Sequence, residues 1–349
     1  MFKRLLARIE QLAAEQPVFL AFLVFVTATF IVIPVSFPFY LTNPDGFLEN
    51  ILGEAHGMLF DLLVIGWFGF WLTKLAERRR KQNRYREEID DFLGWKSQEA
   101  THRIVGNIRR LNREGIAEHL RLTEAHLHGA NLAGATLRQT DLWGANLERA
   151  TLRESNLTGS NLAGAILNGA DLERADLTRA DLRGADLNEA DLERALLDEA
   201  DLRGALLAGA DLQYAVLTRT NLERSTLAGA NLRGCDLTGA NLHGTDLSGA
   251  HLRGAALAGA TLHQTNLSGA DLLSTNLIGA DLPEGEALLA LFKDVKTLFG
   301  ARFDPDVQQH LQEAYPHRFE LADPRGEAAA RPSSPEPPGY ASSLAASDG

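Results

Sequence analysis

Few residues of this 349-residue chain have the chemistry for a site: one cysteine, ten histidines, 46 carboxylates and one aspartate set in an oily run. Cys235 stands alone, so neither a disulfide framework nor a cysteine zinc cage can be built. No GxGxxG, Walker-type lysine loop, GxSxG or HExxH occurs, which removes the common nucleotide, hydrolase and zinc-protease designs. Asp61 is the one acid of the apolar run 57–75, and an ionisable group in such a run is a candidate for proton or ion coupling. It lies near the outer end of that run, where a carboxylate in interfacial water is the plainer expectation. The net charge of −12, from 34 basic and 46 acidic side chains, argues against a general nucleic-acid binder. No catalytic group, cofactor or metal is expected, and the chain reads as a non-enzyme.

The elements that hold these residues fall into an oily head and a repetitive body. Residues 1–17 place Phe2, Leu5, Leu6, Ile9 and Leu12 on one helical face, which suits a helix lying in a membrane interface. Residues 18–41 carry no charge and are long enough to span a bilayer core as transmembrane helix 1. Residues 42–56, with Asp45, Glu49 and Glu54, read as an external loop, and 57–75 as transmembrane helix 2. Lys3, Arg4 and Arg8 precede the first span, and no basic residue recurs until Lys74. From there, seven of thirteen residues are basic. The positive-inside rule then predicts a multi-pass protein of a bacterial inner membrane with both termini in the cytoplasm. Arg78, Arg79, Arg80 and Lys81 are the candidate contacts to anionic lipid headgroups, at ~1 kcal/mol each.

Leucine then occupies every fifth position from Leu127 to Leu282, 32 in succession. Two residues before each stands Ala, Ser, Thr or Cys, and the residue just before is mostly Asp, Asn or Thr. On an α-helix a period of five would spiral the leucines around every side. On a straight strand an odd period would send them to alternate faces. The chain must therefore bend once per repeat and wind into a coil with leucine always inside. Glycine two residues after the leucine, in 18 of the 32 repeats, suits a turn with unusual backbone angles. Cys235 falls at the small inward position and reads as a space-filler.

The A(D/N)LXX pattern over 125–284 resembles the pentapeptide-repeat family. That resemblance implies an all-β solenoid, a right-handed quadrilateral β-helix with four repeats per side-closing turn. Thirty-two repeats then make about eight coils, ~38 Å long at the usual strand spacing. The full expectation adds an N-terminal two-helix transmembrane hairpin and flanking capping helices to this solenoid. The flanks read as basic juxtamembrane and capping helices over 76–121, with a helix at 97–113. The β-helix itself covers 122–284. C-terminal capping helices follow over 285–321, as helices at 285–299 and about 305–315, and then a disordered tail over 322–349.

With four repeats per coil, residues twenty apart stack. His243 and His263 then form a pair with no third metal ligand. Asp171, Asp191 and Asp211 form an acidic column beside Glu173 and Glu193, with Arg174, Arg194, Arg183 and Arg203 interleaved. Leu196 and Val216 stack near Tyr214, and Ile166 and Leu206 lie on another side. Leu196, Tyr214 and Val216 are the candidate partner-binding residues. The expected function is a membrane-anchored, non-enzymatic interaction scaffold for an unknown protein partner or a second copy. One alternative comes from the family, some of whose soluble members resemble double-stranded DNA and bind type II topoisomerases. The other is a small membrane oligomer coupling ions through Asp61.

Overall fold

The computed structural model describes residues 47–115 and 119–320, with side chains at 67 and from 69 onward. The interfacial helix at 1–17, the span at 18–41, the tail at 322–349 and the Asp61 side chain lie outside what is described. The chain divides into two compact units, Met1–Tyr85 and Arg86–Gly349.

Helix α1 runs without interruption over Phe47–Phe92. It begins inside the stretch read as an external loop and continues well past the end of the second expected span. The stretch read as a loop is therefore helical from Phe47. No glycine or proline breaks the run after Gly69, and the Arg- and Glu-rich segment that follows favours helix by propensity. Among the described residues, no helix is long and apolar enough to cross a membrane.

The repeat region winds as its period demands. Parallel pairings join each outward residue to the one twenty positions on, from Arg121 with Asp141 to Thr261 with Asp281. Four repeats therefore make one coil. Leu127 N–H donates to the Asn146 carbonyl at 2.7 Å, and Asn146 N–H donates to that of Ala125 at 2.9 Å. This pair of bonds recurs in every repeat from Leu122 to Leu262. Within a repeat, Ala130 N–H closes a tight turn on the Leu127 carbonyl at 3.0 Å, with Gly129 at φ 62°.

The interior is one leucine per repeat. Of the 32, only Leu282 at the end of the series is half-buried, and the other 31 are buried. Except for Ala280, the residue two before each leucine is buried as well, and some hydroxyls there find carbonyls. Thr220 donates to Leu197 at 2.9 Å and Thr245 to Leu222 at 2.7 Å. Cys235 is buried in this layer, and burial pushes its thiol pKa up, away from reactivity.

Helix α2, Gln98–Arg113, lies against the first coil. The Ser97 hydroxyl caps it by accepting from Ala100 N–H at 3.2 Å. Ile104, Ile108 and Leu111 are fully buried. Three polar groups of the helix engage backbone that has no preceding coil. Thr101 donates to the His126 carbonyl at 2.8 Å, and Arg109 donates to that of Asn131 at 3.0 Å. Asn112 accepts from Thr136 N–H at 2.9 Å.

At the far end the solenoid does not stop at Pro283. Asp271 pairs with Thr297 and Asn276 with Arg302, a step of 26 in place of 20. The six extra residues are taken up by helix α3, Gly285–Phe292, which loops out of the coil. The helix read over 285–299 thus ends seven residues early. Val295, Leu298, Ala301 and Phe303 are buried, and Gly300 takes φ 67° as the corner glycines do. Helix α4, Pro305–Ala314, follows with proline in its first turn. Phe292 and Phe303 meet edge to face at 5.3 Å.

Candidate protein-interaction surface

Each repeat shows three outward positions: the residue before the leucine and the two after it. The preference for Asp or Asn before the leucine has a backbone cause. At nineteen such positions the side-chain oxygen accepts from the N–H two residues on, as when Asp191 takes Glu193 N–H at 3.0 Å. The acidic columns are therefore built first by turn chemistry.

Part of the acidic charge is met on the spot, although among the described residues no ion pair reaches Asp171, Asp191 or Asp211. Arg183 binds Asp181 at 2.6 Å, Arg203 binds Asp201 at 2.7 Å, and Arg194 lies 3.4 Å from Glu193. Arg179 reaches Glu199 at 2.7 Å, Arg219 reaches Asp198 at 3.0 Å, and Arg153 holds Glu173. The hydrogen bond from Arg183 holds the Asp181 carboxyl below the usual carboxylate range. Arg183 and Arg203 share a side with Asp181 and Asp201. They do not interleave with the Asp171, Asp191 and Asp211 column, where Arg174 and Arg194 stand.

Two departures from the repeat carry more information than the repeat itself. The first is apolar residues where Asp or Asn would cap the turn. Ile166, Leu196 and Leu206 are exposed there and Val216 is half-buried. Ile166, Leu196 and Val216 forgo a hydrogen bond worth ~0.5–1.5 kcal/mol, whereas the Ala208 N–H beyond Leu206 donates to Asn188 at 2.8 Å instead. The second is non-glycine residues at the left-handed corner. Arg174, Arg179, Arg194, Glu199, Tyr214 and Arg219 all hold φ between 53° and 58°. That backbone costs an L-residue ~1–2 kcal/mol.

Both departures meet on one side of coils four and five. Leu196 pairs directly with Val216. Arg174, Arg194 and Tyr214 line one edge of this side, and Arg179, Glu199 and Arg219 line the other. Tyr214 is 56% exposed, and its ring lies over Gly234, where an added Cβ would meet ring carbons at 2.8 Å. The Arg194 guanidinium sits 5.7 Å from the same ring. The structure thus gathers all three expected partner-binding residues into one panel. An apolar centre rimmed by Tyr and Arg is the anatomy of a protein contact. Apart from Tyr214, the rim escaped the sequence reading, although non-glycine residues at the glycine position were its visible signal. Ile166 and Leu206 lie on a different side, with Asp186 between them.

The remaining candidates disperse. Arg78, Arg79, Arg80 and Lys81 are exposed on α1. His263 bonds Asp281 at 2.9 Å, and no three potential metal ligands converge among the described residues. A cavity of about 320 Å³ is lined by Arg86, Ile89, Asp90, His119, Leu120 and Arg121. Its acid, Asp90, is 3.5 Å from Arg121.

The family model described as pentapeptide repeats matches residues 121–159, 155–194, 185–224, 215–254 and 245–283, in eight copies. Among solved structures, HetL of the cyanobacterium Nostoc sp. strain PCC 7120 is 37% identical. The match covers 56% of this chain and 95% of that one, with a TM-score of 0.30. It is described as a pentapeptide repeat protein involved in heterocyst differentiation regulation. Rfr23 of the cyanobacterium Cyanothece 51142 is 31% identical over 34% of this chain and 86% of its own, TM-score 0.20. QnrB1, a plasmid-mediated fluoroquinolone resistance protein, is 20% identical over 56% of this chain and 95% of its own, TM-score 0.36. No curated protein matches the chain. Leucines every five residues, pairings every twenty and the matched segments from 121 to 283 agree: the chain belongs to the pentapeptide-repeat family, whose members form right-handed quadrilateral β-helices.

Proposed function

We propose that this protein is a non-enzymatic interaction module, tethered at a bacterial inner membrane, whose solenoid offers the Leu196–Val216 panel to a protein. The observation that carries the reading is the coincidence of two costly departures on one side. Exposed Leu196 and half-buried Val216 replace turn-capping Asp or Asn, and Arg, Glu and Tyr replace corner glycine. Neither is called for by the turn, and together they make an apolar patch with a polar rim. The Arg partners of the acidic columns weaken a DNA-like field, which favours a protein contact over nucleic-acid mimicry.

The tether rests on sequence. The charge-free run 18–41, the apolar run 57–75 and the basic cluster from Lys74 onward support it. The exposed Arg78, Arg79, Arg80 and Lys81 suit an anionic lipid surface.

A photo-crosslinking residue placed at Leu196 or Tyr214 in native membranes tests the panel. Covalent capture of a protein there, and none from the side bearing Ser248 and Ser268, is expected. Equal capture from both sides, or none from either, overturns the interaction reading. Fractionation tests the tether separately: the full chain should stay with the membrane after a high-salt wash, and release would remove it.

A further inference from the structure

We infer that the panel binds a second copy of this chain, side against side, with the two solenoids antiparallel. This rests on the interaction reading above and names its occupant. The argument is the self-complementarity of the panel under one two-fold axis. Place that axis in the contact plane, across the solenoid, midway between the Leu196 and Val216 rows. Each residue of the Leu196 row then faces its stacked neighbour from the Val216 row of the other copy.

The outward residues of the first row are Arg194, Leu196, Asp198 and Glu199, and those of the second are Tyr214, Val216, Thr218 and Arg219. The axis sets Arg194 against Tyr214, Leu196 against Val216, Asp198 against Thr218 and Glu199 against Arg219. Each of these contacts occurs twice. They are a cation on an aromatic ring, an apolar pair, a hydroxyl on a carboxylate and an ion pair. All four are pairings the single chain already makes between these neighbouring rows. Arg194 lies over Tyr214, Leu196 pairs with Val216, Thr218 bonds Asp198, and Arg219 lies 3.1 Å from Glu199.

In the next rows out large residues come opposite glycine, with the Tyr214 ring of the same chain lying over Gly234. Arg174 and Arg179 come opposite Gly234 and Gly239. Asp176 and Asp236 come opposite each other, and Arg174 and Arg179 flank that pair from both edges. The same axis bisects the side. It carries eight outward rows, led by Thr136, Asn156, Asp176, Leu196, Val216, Asp236, Ala256 and Asn276. The centre falls between the fourth and fifth, so the antiparallel overlap runs the full ~38 Å of the repeat. A parallel arrangement would set Arg174 against Arg179 of the other copy, two like charges, on each flank.

The test uses the full chain in mild detergent, with Cys235→Ala as background. Chains carrying Glu199→Cys and chains carrying Arg219→Cys, differently tagged, are mixed and oxidised. A disulfide-linked pair bearing both tags is expected. Mixing Arg194→Cys with Glu199→Cys, the pair that a parallel arrangement would join, is expected to give none. Glu199→Arg is expected to weaken the dimer about tenfold by analytical ultracentrifugation, with an unchanged circular dichroism spectrum. A monomer at every concentration reached, or linkage in the parallel mixture instead, overturns the inference. If the chain is monomeric while the panel still captures another protein in membranes, the interaction reading stands and the second-copy inference falls. If the panel captures nothing at all, both fall.

Discussion

Leu196 and Leu197 are adjacent in the chain, and one is 38% exposed while the other is fully buried. Leu197→Ala removes packing from a core with no slack and is expected to cost ~2–5 kcal/mol in urea unfolding. Leu196→Asp restores the turn-capping acceptor that most repeats carry. It should leave stability unchanged or raise it by up to ~1 kcal/mol, while abolishing capture at the panel. Such a pair of outcomes separates a residue kept for folding from one kept for contact. Asp181 offers a second comparison. Its folded pKa lies below the ordinary 3.8 because Arg183 donates to it. A depressed acid stabilises above its unfolded pKa, and that stabilisation is lost as pH falls through the folded value. Asp181→Asn keeps the turn bond and loses the charge. Its urea midpoint should fall below that of the parent at pH 7, and the gap should close at pH values under 3.8. An undiminished gap in acid would assign the effect to something other than the ion pair.

At the scale of elements, α2 answers a problem that every open solenoid has. A first coil presents unpaired backbone, and such an edge recruits other chains. Thr101, Arg109 and Asn112 bond to that backbone while Ile104, Ile108 and Leu111 cover the leucines behind it. Ile108→Asp should undock the helix and cause concentration-dependent aggregation visible by light scattering, whereas Arg103→Ala on its exposed face should not. The helix was legible because Ile104, Ile108 and Leu111 recur at helical spacing. The coil segment 295–303 was not, although Leu298, Gly300 and Ala301 keep the family spacing. An intervening helix broke the five-residue phase, and a periodic reading loses a repeat once its phase is lost. Likewise α1 absorbed a stretch read as a loop, because two acids and one glycine do not outweigh the helical preference of their neighbours.

At the scale of the molecule, a leucine every five residues keeps the interior filled wherever the chain is cut and rejoined in units of five. The sides obey a different unit, twenty. Deleting 201–205 should therefore preserve cooperative thermal unfolding and the full-length β signal. It rotates every later side by a quarter turn, so Leu196 would stack on Asn221 in place of Val216. Loss of panel capture with retained folding is expected, and retained capture would show that the panel is not the contact. The primary structure alone determined that the body is a leucine-lined coil and that the head is oily and then basic. These follow from composition and from a period incompatible with straight helix or strand. Only the tertiary structure decided that four repeats close a coil, since a period of five permits three or four sides. It alone decided that Asp and Asn serve the turns before they serve any partner. It also decided that Arg, Glu and Tyr at left-handed corners border Leu196 and Val216, because residues twenty apart become neighbours only when the coil closes.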